Sequence, residues 1–251
     1  MNSPMVGLLV FGCTFGAGLV AMMTRRQLPS NHVEGPLADL VKLVLGLIAT
    51  LTALVLGLLI SFGYSAYQAQ QAELQQLSVH LYQLDRALAH FGPEANPQRD
   101  ALRRLLAANI ARIWPADGQA PTRATTLQQD AEALFDGVEA LGPKTDRQRL
   151  GRSKALELLE SSGETWHLLA AQSEATLSRP ILVVLLMWVT ILFFGFGLFA
   201  HFNLTAGVSL FMGSLSVAGA VFLIVDMSQP YSGWVKISAA PLRAALAQMG
   251  H

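Results

Sequence analysis

The sequence is short of charge and of cysteine. Asp, Glu, Lys and Arg supply 14% of its 251 residues, where a globular domain carries about 25%. The 17 basic and 17 acidic residues cancel. That excludes a dedicated nucleic-acid binder, because phosphate neutralisation needs a basic excess. A single cysteine, Cys13, excludes an intrachain disulfide framework and a cysteine zinc site. No Walker A, HExxH or GxSxG pattern occurs. The six histidines are scattered. His80 and His90 with Asp85 or Glu73 are the nearest thing to a metal set, and solvated surface histidines are the better reading. The sequence supports no enzyme, cofactor or metal.

What is present is apolar residue in long runs. The scarce charge concentrates between Tyr64 and Pro180 and leaves the flanks nearly bare. A membrane-spanning helix needs about 20 apolar residues. Met5–Met23 and Leu43–Phe62 each meet that length without a charge. From Pro180 to Val225 no charge occurs at all, too long a stretch for one span. The polar cluster His201 to Thr205 divides it into Ile181–Ala200 and Ala206–Val225. Basic Arg25 and Arg26 follow the first apolar run instead of preceding it, which argues for a retained helix over a cleaved signal.

The expected architecture is therefore all-α: an integral membrane protein with four transmembrane helices and a helical soluble domain between the second and third. The expected divisions are 1–63, 64–180, 181–225 and a C-terminal interfacial segment 226–251. Orientation is not readable from charge, because Arg25, Arg26 and Lys42 on one side balance Arg179, Lys236 and Arg243 on the other.

Within 64–180 the apolar residues Leu74, Leu77, Leu81, Leu84, Leu88 and Phe91 alternate in steps of three and four, a heptad seam. No proline or charge interrupts the second span as it leaves the membrane, so one helix is predicted from Leu43 to Phe91, stopped by Gly92-Pro93. Further helices are predicted after Pro97, from Thr126 to Leu141 and from Asp146 to Ser178. The seam suits a bundle core or a contact between subunits.

The second span also carries a stripe of small or hydroxylated residues: Gly46, Thr50, Ala53, Gly57 and Ser61. A ridge of Leu47, Leu51, Leu54 and Leu58 flanks it. Two physical reasons produce such a stripe. Small residues let helices approach closely in lipid, or they line a narrow pore. Gly12 and Gly16 in the first span, and Ser209, Gly213, Ser216 and Ala220 in the fourth, read as packing motifs. After the fourth span, Asp226 is expected at the membrane boundary, reaching water. Pro230 and Gly233 make a turn there, and Tyr231 suits the interface. Pro241–Met249 reads as a short amphipathic anchor.

Three stretches carry a family likeness: Val41 to Ser61, the phenylalanine-rich Leu192 to Phe199, and Asp226-x-x-x-Pro230-Tyr231-x-Gly233 with Pro241-Leu-Arg. Together they make the chain resemble the bacterial bestrophin-like membrane proteins. Bestrophins are pentameric chloride channels whose second span lines a hydrophobic neck. The resemblance implies a homo-oligomer, a pentamer, in the inner membrane. It implies a cytoplasmic insert, lipid and a small inorganic ion as partners, and Thr50, Leu54, Gly57 and Ser61 at the pore. No acidic cluster resembles the calcium clasp of the animal proteins. The leading expectation is an oligomeric channel for a small ion. The alternative is a non-conducting scaffold or signalling protein whose insert binds a partner.

Overall fold

The computed structural model describes residues 3–25, 36–114, 124–174, 179–200, 202–228 and 233–249. Eight α-helices are described: α1 Ser3–Arg25, α2 Pro36–Phe91, α3 Asn96–Ile113, α4 Ala124–Glu139, α5 Asp146–Glu174, α6 Arg179–Phe199, α7 Leu204–Met227 and α8 Ala240–Gln248. No strand occurs among the described residues. Four helices are long and apolar enough to cross a membrane: Ser3–Arg25, Ala38–Phe91, Pro180–Phe199 and Leu204–Met227. In chain order α3, α4 and α5 fall between the second and third of these.

Helix α2 runs for 56 residues without a break, far more than the hydrocarbon layer of about 30 Å requires. It stops where the sequence predicts. Gly92 has φ 126°, a backbone conformation open to glycine alone. The Gln148 side chain donates to the last α2 carbonyl, at Phe91, over 2.9 Å. Gln148 also helps to start α5: its backbone N–H donates to the Thr145 hydroxyl, and its side-chain oxygen accepts from the Lys144 N–H. The predicted continuation of α5 to Ser178 falls partly outside the described residues.

The chain forms two compact units. One comprises 1–67 and 175–235, the other 68–174 and 236–251. The segment 226–251 is thus divided between them. In the membrane unit, α1 packs on α6 and α7. Its buried face is Ser3, Val6, Gly7, Val10, Thr14, Gly18, Ala21 and Met22. A Cβ at Gly197 would overlap the Gly18 carbonyl, and one at Gly7 would sit 3.2 Å from Phe222 Cβ. These glycines let backbones approach closely where lipid offers no hydrophobic drive. Gly12 and Gly16 do not serve this packing, since a Cβ on either meets nothing within 4 Å. In α7 the buried small residues are Ser214 and Ala218. Ser209 and Ser216 are exposed, and Gly213 abuts the Phe193 ring. Small-residue spacing marks several faces of one helix, and tertiary packing selects among them.

At one end of this unit the Arg25 guanidinium donates to the last carbonyl of α6, at Phe199. A cation there satisfies an orphan acceptor and complements the helix dipole. Asn203 caps α7, its side chain accepting from the Ala206 N–H at 2.8 Å.

In the helical unit the whole heptad seam is buried: Leu74 1%, Leu77 0%, Leu81 5%, Leu84 0%, Leu88 1% and Phe91 4% exposed. It is the core of the subunit's own bundle, with Leu102, Leu106, Ile110, Leu134 and Val138. On α5 the buried line is Ala155, Leu158, Ser162 and Leu169. Helix α8 joins this bundle against α3, burying Leu242, Ala245 and Met249. Trp114 Nε1 donates to the Ile237 carbonyl at 2.8 Å, and Arg103 donates to that of Met249.

Candidate functional site

The membrane stretch of α2 has one covered side. Leu45, Thr52 and Leu59 are 7%, 6% and 9% exposed, and seven-residue spacing keeps them on one face. Leu45 reaches the backbone of α6 at Gly195. Thr52 satisfies its hydroxyl within the helix, donating to the Ile48 carbonyl at 2.7 Å. Val55 and Leu56 pack on the core at its edge.

The other side is uncovered within the subunit. Gly46, Thr50, Ala53, Leu54, Gly57 and Ser61 are all exposed, with Leu54 at 63%. A Cβ added at Gly46 or Gly57 meets nothing within 4 Å, so neither glycine serves a close approach inside the subunit. Thr50 donates to the Leu47 carbonyl at 2.8 Å. This leaves its hydroxyl oxygen on the uncovered face as an acceptor. The structure thus keeps the six candidate residues together on a single face. The leucine ridge of Leu47, Leu51 and Leu58 lies beside it, also exposed.

Composition separates this face from other uncovered faces. Helix α6 exposes Ile181, Val183, Val184, Met187, Ile191 and Phe194, large side chains that lipid solvates well. The α2 stripe offers lipid little to contact and supplies hydroxyls at Thr50 and Ser61. No Asp, Glu, Lys or Arg interrupts it. The face therefore sets small and hydroxylated side chains beside a ridge of exposed leucines.

The second candidate cluster differs from expectation. Asp226 does not reach water at a boundary: it is 0% exposed. The Ser3 hydroxyl donates to its Oδ1 at 2.7 Å, the Trp234 N–H to Oδ1 at 3.0 Å and the Val235 N–H to Oδ2 at 2.8 Å. These donors make burial tolerable, since a buried carboxylate must find hydrogen bonds. Gly233 fits where it does because a Cβ there would lie 2.7 Å from Asp226 Oδ1. Pro230 and Tyr231 lie outside the described residues. No local pattern in the sequence marks Ser3, which lies 223 positions from Asp226. The cluster ties the start of α1 to the turn after α7.

Two of the candidate metal ligands, Asp85 and His80, have other partners. Asp85 receives two hydrogen bonds from Arg99, from Nε at 2.8 Å and from Nη2 at 2.9 Å. That bond raises the Arg99 pKa above its ordinary value. His80 Nδ1 lies 3.4 Å from the Ser161 hydroxyl. No group of three metal-ligating side chains occurs among the described residues.

Comparison with known proteins follows the same lines. The family model for the bestrophin-like domain matches residues 12–242. The fold is that of solved bacterial bestrophin structures. A mutant bestrophin homologue from Klebsiella pneumoniae superposes with TM-score 0.65 at 14% identity, covering 97% of this chain and 99% of that one. A second mutant of the Klebsiella homologue gives 0.66 at 13%, covering 96% and 97%. A structure described only as a mutant membrane protein gives 0.70 at 12%, covering 97% of each chain. No curated protein sequence matches the chain. With the family model matching nearly end to end, this chain belongs to the bestrophin-like family.

Proposed function

We propose that this chain is one subunit of an oligomeric membrane channel that passes a small ion, an anion by family, along the uncovered face of α2. Gly46, Thr50, Ala53, Leu54, Gly57 and Ser61 line the path, and the leucine ridge forms the constriction. Copies of the chain surround a common axis, a pentamer by the bestrophin pattern. They sit in the inner membrane with the helical unit in the cytoplasm.

One observation carries the reading. The small stripe is uncovered by its own subunit while the reverse side of the same helix, Leu45, Thr52 and Leu59, is buried. A scaffold that used the stripe for internal packing would bury it against α1, α6 or α7. A lipid-facing stripe would carry the large side chains that α6 exposes.

Ion flux from liposomes holding the purified chain tests the reading, beside a Leu54→Lys variant. A cation fixed at a dry constriction changes both rate and ion preference, because charge in a narrow low-dielectric passage acts strongly on a passing ion. The channel reading predicts chloride efflux from wild type and an altered rate in the variant. No efflux across several salts and pH values would leave the scaffold reading in its place. Efflux indifferent to Leu54→Lys would move the path off α2.

A further inference from the structure

The helical unit holds a cavity of about 310 Å³, at the small end of the range for ligand pockets. Its apolar wall includes Leu81, Leu105, Phe135 and Trp166, contributed by α2, α3, α4 and α5. The polar groups on it are Ser162, Gln128, Glu132, Glu160 and His167, with no Lys or Arg among the lining residues.

Three features set this cavity apart from a packing defect. The first is Ser162. It is 3% exposed, it lines the cavity, and its hydroxyl has no hydrogen-bond partner. A buried hydroxyl in a helix ordinarily bonds to the carbonyl four residues back. One left unpaired in a native core points to a group that arrives from outside. The second is Gly163, the next residue and also on the wall. Glycine inside a helix is less favourable than alanine, yet a Cβ here meets nothing within 4 Å. No neighbouring helix requires the glycine, and the space beside it is open. The third is charge. Glu132 accepts only a hydrogen bond from Gln128, at 3.3 Å. None of the seven ion pairs among the described residues includes Glu132 or Glu160. Both carboxylates are exposed at the cavity mouth and share its lining with the rings of Phe135 and Trp166.

We infer that this cavity binds a small amphipathic organic cation, an amine carrying an apolar or aromatic body. The ammonium meets Glu160 and Glu132, and the rings of Trp166 and Phe135 supply cation–π attraction and apolar contact. The Ser162 hydroxyl gains its missing partner. The site lies in the helical unit and stands independently of the pore reading.

The test is calorimetric titration of the full-length chain in detergent with phenethylamine. Phenylacetate serves as the control of like shape and opposite charge. Saturable heat is expected from the amine, with phenylacetate weaker by about tenfold or more, because its charge meets two carboxylates. Glu160→Gln weakens the amine by about tenfold, the size of a lost charge-assisted hydrogen bond. Gly163→Leu fills the cavity and abolishes binding, while Leu54→Lys leaves it unchanged. Equal binding of phenylacetate would overturn the inference. So would amine heat that survives Gly163→Leu, which would signal partition into detergent or an apolar groove. Absence of heat from a chain with intact helix content and melting temperature would do the same. If Gly163→Leu fails to fold, the exposed Glu160→Gln decides alone.

Discussion

Two stretches of the same helix invite comparison. Between Leu74 and Phe91, α2 shows a stripe that its own subunit covers almost completely. Between Gly46 and Ser61 it shows a stripe of nearly the same period that its own subunit leaves bare. Periodicity marks a face but does not say what lies on it; the solvent does. A leucine seam in water must be covered, because each buried side chain contributes about 1.5–3 kcal/mol. In a bilayer an uncovered apolar face costs little, since lipid is as apolar as leucine. That leaves the membrane stretch of α2 free to keep small side chains on a face its own subunit does not cover.

Truncation should expose this contrast most strongly. Leu84 is 0% exposed, so Leu84→Ala should destabilise the helical unit by about 4 kcal/mol through lost burial and a residual cavity. Leu54→Ala should stay within about 0.5 kcal/mol, as surface substitutions do. Thermal unfolding of the detergent-solubilised chain, followed by circular dichroism, compares the two. Similar losses would mean that the membrane face is covered after all.

The charged groups repeat the comparison at smaller scale. Asp85 is buried to 1% and Arg99 to 16% side-chain exposure. Asp85→Asn leaves the guanidinium without its counter-ion, at a cost of about 3 kcal/mol, the low end for a broken buried pair because Arg99 keeps some access to water. Among the described residues, those that donate to Asp226 in the membrane unit are all neutral. Ser3→Ala removes one of the three described donors and should cost about 1 kcal/mol. The same melting experiment reads both. A larger loss for Ser3→Ala than for Asp85→Asn would reverse the ranking and make the Ser3 cluster the more critical tie.

What was readable in the sequence follows the same division. The four spans, the helix from the membrane to Phe91 and the buried seam were legible because each rests on local period and length. Gly92 was legible as a stop because a positive φ has a residue signature. The partners of Asp226 were not, since Ser3 is joined to it only by the packing of α1 on α7. The choice of Gly7 and Gly18 over Gly12 and Gly16 was equally hidden, because small residues carry no label for the face that meets a neighbour. The docking of α8 was half legible. Its apolar side was visible at Leu242 and Met249, but an amphipathic face reads alike against a membrane and against α3. The small stripe was found from spacing, whereas its lack of cover needed the fold.

The smallest effect belongs to the exposed ion pair Glu94–Lys144, 3.3 Å apart with side chains 46% and 77% exposed. The Glu94 carboxyl sits below the usual glutamate pKa, first because it accepts a backbone hydrogen bond and then through Lys144. A depressed carboxylate stabilises the fold above its unfolded-state pKa and loses that contribution as pH falls through the folded value. Glu94→Gln should therefore lower the melting temperature slightly at pH 7. The difference should fade on acidification below about pH 4.3, the ordinary glutamate value. Added salt should also shrink it at pH 7, because exposed charges are screened. Leu84→Ala should show neither dependence, since a buried leucine carries no charge to protonate or screen. If the Glu94→Gln difference persists unchanged to pH 3, the ion pair is not its source. The side chain then acts by shape, and charge exposed to water contributes nothing measurable to this bundle.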